Sequence, residues 1–170
     1  MSTIPYNLLF LSTANTARSI MAEAILRAEG IGRFAAHSAG CKPQGFIHPH
    51  AITTLETYGY SADGLYSKSW DEFTVLNSPE MDFIITVCDA AAGEECPQWP
   101  GHPVTAHWLI EDPLTFQESD VAQQRAFTMV FNYLKNRIDL LLATPLHRLD
   151  KLSLHQHIIE IGQGNNSNIK

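Results

Sequence analysis

Apolar residues along the chain form short continuous runs that alternate with longer amphipathic segments. The run at 6–11 is almost entirely apolar, which is typical of a strand buried on both faces of a parallel sheet. From 18 to 29 the apolar residues recur at helical spacing, and Gly30 follows where a helix commonly ends. The helical stripe consists of Ile20, Met21, Ala24, Ile25 and Ala28. The same alternation predicts strands at 34–38, 81–88 and 104–108, and helices at 51–58 and 121–143.

Strands that alternate with helices predict a parallel sheet, because a helix usually makes the crossover between two parallel strands. We therefore expect an α/β fold with a four-stranded parallel sheet and helices on both faces. No internal repeat and no linker rich in proline, glycine or serine divides the sequence, so residues 1–161 are predicted to form a single domain. Residues 162–170 are polar and rich in glycine and asparagine, which favours a flexible C-terminal tail.

Composition and charge narrow the possible partners. Hydrophobic residues make up 45% and charged residues 17% of the 170 residues, as in ordinary globular domains. The formal net charge of −7 disfavours nucleic acid, because an acidic surface repels a phosphate backbone. No apolar run approaches the length of about 18 residues that a membrane span needs, and the N-terminus lacks the features of a secretory signal. We therefore expect a cytoplasmic protein without membrane or nucleic-acid partners.

The segment STANTARS at 12–19, between the first strand and the first helix, is the candidate binding loop. Backbone N–H groups are unpaired at a helix start, and a loop wrapped over that end can bind an anion. Arg18 adds a planar set of donors that matches two oxygens of a tetrahedral oxyanion. The loop alone leaves a second interpretation open, in which Ser and Thr only cap the helix. The candidate substrate-binding residues are Thr13, Ala14, Asn15, Thr16, Ala17, Arg18 and Ser19.

The sequence LFLSTANTARSIMAEAIL resembles the low-molecular-weight protein tyrosine phosphatases and the related arsenate reductases. Their loop is a cysteine, five residues, an arginine and then Ser or Thr, directly after the first strand. This chain matches every motif position except the first, where Ser12 replaces the nucleophilic cysteine. Further similarity covers HSAGCKPQG (37–45), SKSWDEF (67–73), ITVCDAAAGEECPQWPGHP (85–103) and HWLIEDP (107–113). Together these segments are most similar to the arsenate reductases, so the resemblance implies reduction of arsenate to arsenite.

The resemblance also implies roles for two cysteines and one aspartate. In the family the loop thiolate attacks arsenate, a second cysteine then attacks the first as arsenite leaves, and a third takes over the disulfide. By position Cys88 is the second cysteine, Cys96 is the third, and Asp112 of Glu-Asp-Pro is the general acid. Cys41 has no counterpart in this motif and is interpreted as a structural thiol.

The implied partners are an oxyanion and a thiol reductant. The oxyanion is arsenate or a phosphate-like ion, and the reductant is thioredoxin or glutathione with glutaredoxin. No cofactor and no metal is expected. The His-x-His pairs at 48–50 and 155–157 lack a third ligand at a suitable spacing, and we interpret them as surface or packing residues.

Ser12 at the nucleophile's position has three interpretations. The chain is an engineered Cys-to-Ser form, a naturally inactive relative that binds oxyanions, or an enzyme with a serine nucleophile. We favour the first, because the rest of the apparatus is intact and a serine hydroxyl without a base is a poor nucleophile. A phosphatase is the alternative function, although Leu114 and Thr115 follow Asp-Pro where phosphatase relatives usually carry an aromatic residue.

Overall fold

The computed structural model describes residues 4–87, 99, 101–115 and 118–163. Its strands and helices, in chain order, are β1 (Tyr6–Ser12), α1 (Arg18–Glu29), β2 (Phe34–Gly40), α2 (Pro49–Thr57), β3 (Phe83–Thr86), β4 (Val104–His107), α3 (Asp120–Leu142) and α4 (Lys151–Gln163). Short 3-10 helices occur at Trp70–Phe73, Pro113–Thr115 and Leu146–Arg148. Among these described residues, no helix combines the length and apolarity needed to cross a bilayer.

The four strands form one parallel sheet in the order β2-β1-β3-β4, which confirms the predicted α/β class. The chain passes from β1 to β2 on one side and later returns to β3 on the other side of β1. In open α/β sheets, ligands bind outside the carboxyl ends of the strands at such a point of reversal. The end of β1 is Ser12, which pairs with Gly40 of β2, so the candidate loop begins at this position.

The four α-helices contribute to one large apolar cluster on the face of the sheet that carries Leu8 and Phe10. The 3-10 helix Trp70–Phe73 packs with the opposite face, which carries Leu9 and Leu11. α1 is buried at every position from 19 to 26. The predicted apolar stripe on α1 is correct except at Ala28, which is exposed because the helix leaves the core over its last turn.

The predicted elements do not include α4, although its buried residues Leu154, Ile158 and Ile161 recur at helical spacing. This helix packs against Trp108, and the indole N–H donates to the carbonyl of Ile158 at 3.1 Å. α4 continues through Gln163 and so includes the first two residues of the predicted tail. Trp108 begins the segment that leads to Asp112, so α4 fixes one end of that segment.

Gly162→Ala tests this contact between α4 and Trp108. A Cβ at Gly162 would clash with Trp108 Cδ1 and would lie 2.8 Å from the carbonyl oxygen of His107. Because overpacking strains both elements, we expect the free energy of unfolding to fall by about 1–3 kcal/mol in urea denaturation. The control Gln156→Ala, at an exposed position of the same helix, should change it by less than about 0.5 kcal/mol. Equal effects of the two variants would contradict the packing of α4 on Trp108.

Candidate active site

The loop between β1 and α1 is attached through its carbonyl groups to the segment at 41–48. Four backbone N–H groups of this segment donate to loop carbonyl oxygens over 2.9–3.3 Å. The pairs are Cys41 to Ser12, Lys42 to Thr13, Gln44 to Ala14 and His48 to Thr16. None of the described peptide bonds is cis, and in a trans peptide the N–H points opposite to the carbonyl. The amides at positions 13, 14, 15 and 17 therefore point away from the 41–48 segment.

The backbone amide of Asn15 points towards the side chain at position 12. Its N–H donates to Ser12 Oγ at 3.1 Å, so the loop closes over the side chain at position 12. Its φ of 51° lies in the left-handed region, which asparagine tolerates better than most residues. The inward amides curl around position 12 at the start of α1, where the helix dipole is positive. This arrangement is suited to a tetrahedral anion.

The side chains of the loop do not act as a simple helix cap. The N-cap residue of α1 is Ala17, which makes no side-chain capping hydrogen bond. Ser19 Oγ lies 2.6 Å from Ser12 Oγ and accepts a hydrogen bond from Asn15 Nδ2 at 2.8 Å. The hydroxyl oxygen of Ser19 thus lies against that of Ser12, and no side chain caps α1 at its N-cap residue.

Gly40, at the end of β2, allows the loop to approach closely. A Cβ at this position would lie 2.6 Å from the carbonyl oxygen of Thr13 and 3.0 Å from Asn15 Cβ. Any larger residue would therefore displace the backbone of the loop. Glycine at position 40 is a steric requirement of the site.

Arg18 and Asp112, which are far apart in sequence, meet beside the loop. Arg18 Nη1 donates to the carbonyl of Ile110 at 2.8 Å, and Nη2 lies 3.7 Å from Asp112 Oδ2. The other carboxylate oxygen of Asp112 accepts from the N–H of Leu114 at 3.0 Å. The side chain of Arg18 is nearly buried, whereas that of Asp112 is 43% exposed.

His48 lies at the rim of the site. Its ring Nδ1 caps α2 by accepting from the N–H of His50, and the ring stacks on Phe127 of α3. Burial and the neighbouring His50 lower the pKa of His48, while the charge of Asp112 opposes this effect. His48 is therefore a packing residue, as the sequence indicates, but one that is electrostatically coupled to Asp112.

The structure places the candidate site residues as follows. The loop residues from position 12 onward form one group around the start of α1, in which Thr13 and Ala14 are half-buried and Ser12, Asn15, Thr16, Ala17 and Ser19 are buried. Cys88 and Cys96 lie outside the described residues. Cys41 is half-buried beside the loop, and its Sγ lies 3.9 Å from the carbonyl oxygen of Thr13.

Three buried polar residues that the sequence analysis does not single out lie behind the loop. They are Glu23, Ser38 and Lys68. Glu23 is buried in α1 among apolar neighbours. Because charged residues are rarely buried without a partner, a glutamate in this apolar stretch could have indicated a buried polar contact from the sequence alone. Lys68 and Ser38 gave no comparable signal, because their contacts depend on how the chain folds.

Comparison with known proteins assigns the family. Residues 7–152 match the low molecular weight phosphotyrosine protein phosphatase family. The chain belongs to this family. The match begins in β1 and ends in α4, so it includes the loop, Arg18 and Asp112.

Members of the family that resemble this chain include arsenate reductases. An arsenate reductase of Bacillus subtilis is 30% identical over 129 residues, which are 76% of this chain and 89% of that protein. A protein of Synechocystis named glutaredoxin arsenate reductase is 28% identical over 135 residues, 79% of this chain and 95% of that protein. A solved structure of an arsenate reductase in the phosphate binding state superposes with a TM-score of 0.66 at 27% identity, covering 81% of this chain and 97% of that one.

Arg18→Gln tests whether the loop binds an oxyanion. We expect phosphate, sulfate or arsenate to raise the melting temperature of the unsubstituted chain, because a ligand that binds only the folded state stabilises it. Loss of the guanidinium should weaken the affinity by about tenfold or more. The control Arg33→Gln removes an exposed guanidinium that donates to the carbonyl of Leu142, and it should leave the anion-induced shift intact. An equal shift in both variants would exclude Arg18 from the binding site.

His48→Asn tests the lowered pKa of His48. Because the pKa of His48 is lowered from its usual 6.5, the unfolded state binds the proton more tightly than the folded state. The stability that neutral His48 contributes is complete above pH 6.5 and is lost as the pH falls from there towards the lowered pKa. Asparagine keeps a capping acceptor but does not titrate. Denaturant unfolding should therefore show a weaker loss of stability as the pH falls below 6.5 in this variant, and an unchanged slope would contradict the lowered pKa.

Proposed function

We propose that this chain carries the active site of an arsenate reductase, with Ser12 in the place of the nucleophilic cysteine. The observation that supports this most is the convergence of the inward loop amides and the Ser19 hydroxyl on the side chain at position 12. These donors would stabilise a thiolate and lower its pKa, as in other reactive cysteines. The similarity to arsenate reductases supports arsenate as the substrate.

The reaction needs a thiol at position 12 and two more cysteines. The thiolate attacks As(V) of arsenate, a sulfur–arsenic bond forms, and a protonated Asp112 gives its proton to the departing oxygen as water leaves. Cys88 then attacks that sulfur as its thiolate, so a disulfide forms and the electron pair of the sulfur–arsenic bond stays on arsenic as arsenite. Cys96 next attacks Cys88, passes the disulfide onward and releases the first thiol. The roles of Cys88 and Cys96 are implied by sequence position, because both lie outside the described residues.

Asp112 and Arg18 exchange partners during this cycle. Without a ligand, Asp112 Oδ2 lies 3.7 Å from Arg18 Nη2. A bound oxyanion takes over the guanidinium, because two oxygens match its paired donors. Asp112 then faces the bound oxyanion instead of the guanidinium, which is where a general acid must lie to act on the departing oxygen.

Ser12 separates binding from turnover. Its Oγ contacts Ser19 Oγ and the N–H of Asn15, and neither is a base that could remove the hydroxyl proton. A hydroxyl is also a harder donor than sulfur, so it cannot replace the thiol in the redox steps. The chain with Ser12 therefore binds the oxyanion and does not reduce it.

The completed cycle leaves a disulfide, so a thiol reductant must follow. Thioredoxin and glutathione with glutaredoxin both exchange thiols with such a disulfide. The Synechocystis relative carries the word glutaredoxin in its name, which supports a reductant of that kind. Reduction of this type belongs in the reducing cytoplasm, where thiols are regenerated.

Ser12→Cys provides the test of function. We expect this variant to release arsenite from arsenate with thioredoxin or with glutathione plus glutaredoxin, whereas the unsubstituted chain releases none. Adding Cys88→Ser should abolish multiple turnover, because the disulfide can no longer form. The matched control Cys41→Ser in the Ser12→Cys background should retain turnover, since we interpret that thiol as structural.

The outcomes distinguish three functions. Multiple turnover in the Ser12→Cys, Cys88→Ser variant would contradict the thiol cascade. Hydrolysis of a phosphoester by Ser12→Cys, without arsenite release, would instead indicate a phosphatase. No turnover of either substrate, with anion binding retained, would indicate an oxyanion-binding relative.

A further inference from the structure

A charged pair is buried behind the loop. The side chains of Glu23 and Lys68 are 4% and 6% exposed, and Lys68 Nζ lies 3.7 Å from Glu23 Oε1. Lys68 Nζ also donates to the carbonyl of Ser38 at 3.0 Å. Buried ion pairs often contribute little net stability, because removing both charges from water is costly. The position of this pair, next to the loop, suggests a role in organising the site.

The backbone of Lys68 fixes the orientation of the Asn15 carboxamide. The N–H of Lys68 lies 2.9 Å from Asn15 Oδ1, and since a backbone amide can only donate, this atom must be the oxygen. The opposite atom, Nδ2, therefore carries both hydrogens. It donates one to Ser19 Oγ at 2.8 Å and the other to Ser38 Oγ at 3.1 Å.

Each serine that accepts from Asn15 directs its own hydrogen elsewhere. Ser38 Oγ lies 3.2 Å from Glu23 Oε1, and an ionised carboxylate only accepts, so the Ser38 hydroxyl donates to it. Ser19 Oγ lies 2.6 Å from the side chain at position 12. With its lone pairs facing Asn15, Ser19 has its hydrogen available for position 12.

The direction of this chain of hydrogen bonds depends on the ionised state of Glu23. Burial raises the pKa of Glu23, and the charges of Lys68 and Arg27 oppose this effect. A protonated Glu23 would itself become a donor to Ser38 and could reverse the chain. Lys68 contacts the same Oε1 that accepts from Ser38, whereas Arg27 is 44% exposed and contacts Oε2 from outside.

We propose that the buried Glu23–Lys68 pair is a positioning device that fixes the direction of these hydrogen bonds, so that Ser19 donates to the side chain at position 12. This proposal rests on the proposed function in one respect, which is that position 12 is the site of a nucleophilic thiol. The pair touches neither substrate nor the reacting atom, and it acts through Ser38 and Asn15. A hydroxyl that donates to a thiolate stabilises it and keeps the thiol pKa low.

The test measures the ionisation of a single thiol at position 12. The parent variant combines Ser12→Cys with serine at positions 41, 88 and 96, and the rate of alkylation by iodoacetamide is followed against pH. Adding Glu23→Gln or Lys68→Met should raise the pKa of this thiol, and a pKa higher by one lowers the alkylation rate at acidic pH about tenfold. The matched control Lys135→Met removes a lysine from the exposed pair with Asp139 and should leave the profile unchanged.

Ser38→Ala provides a test that leaves both buried charges in place. It removes the hydroxyl that links Glu23 to Asn15, and it should raise the pKa of the thiol in the same direction. Circular dichroism verifies that each variant is folded, and Ser38→Ala decides the question if a charge variant does not fold. An alkylation profile unchanged from the parent in folded Ser38→Ala would overturn the proposal. Because no arsenate is present, the result is independent of whether Ser12→Cys reduces arsenate.

Discussion

The site depends on the backbone pairing between the loop after β1 and the segment at 41–48. Because that segment occupies the loop carbonyls on one side, the trans peptides must present their N–H groups on the other. The close approach at Gly40 and the left-handed backbone of Asn15 are both needed for this curvature. A concentrated set of donors is thereby built into a chain whose formal net charge is −7. The overall charge thus says little about what this local site binds.

The distal half of the chain places Asp112 beside Arg18 of this loop. α4 holds Trp108, and Arg18 holds the carbonyl of Ile110, so the segment leading to Asp112 is anchored at two points. The position of Asp112 beside the guanidinium therefore depends on both contacts. The loop and its acid are consequently parts of one packed unit.

The shape of the site and its reactivity are separable in this chain. The donors that surround position 12 come from the backbone and from Ser19, and none of them requires sulfur. Replacing a thiol by a hydroxyl leaves this geometry and removes a soft, easily ionised nucleophile. The family assignment therefore describes the architecture, and the proposed chemistry depends on the residue at position 12.

Local periodicity was sufficient to predict the alternation of strands and helices, the bounds of α1 and the loop with Arg18, because these features depend on near neighbours in sequence. α4 was missed although Leu154, Ile158 and Ile161 recur at helical spacing, and its packing partner Trp108 lies 50 residues from Ile158 in the sequence. The contact between Asn15 and Lys68 joins residues that are 53 positions apart, so local sequence patterns could not predict it. By itself the sequence determined the elements and the candidate donors. Only the tertiary structure decided which way the loop amides and hydroxyls point, because those directions are set by partners that folding brings together.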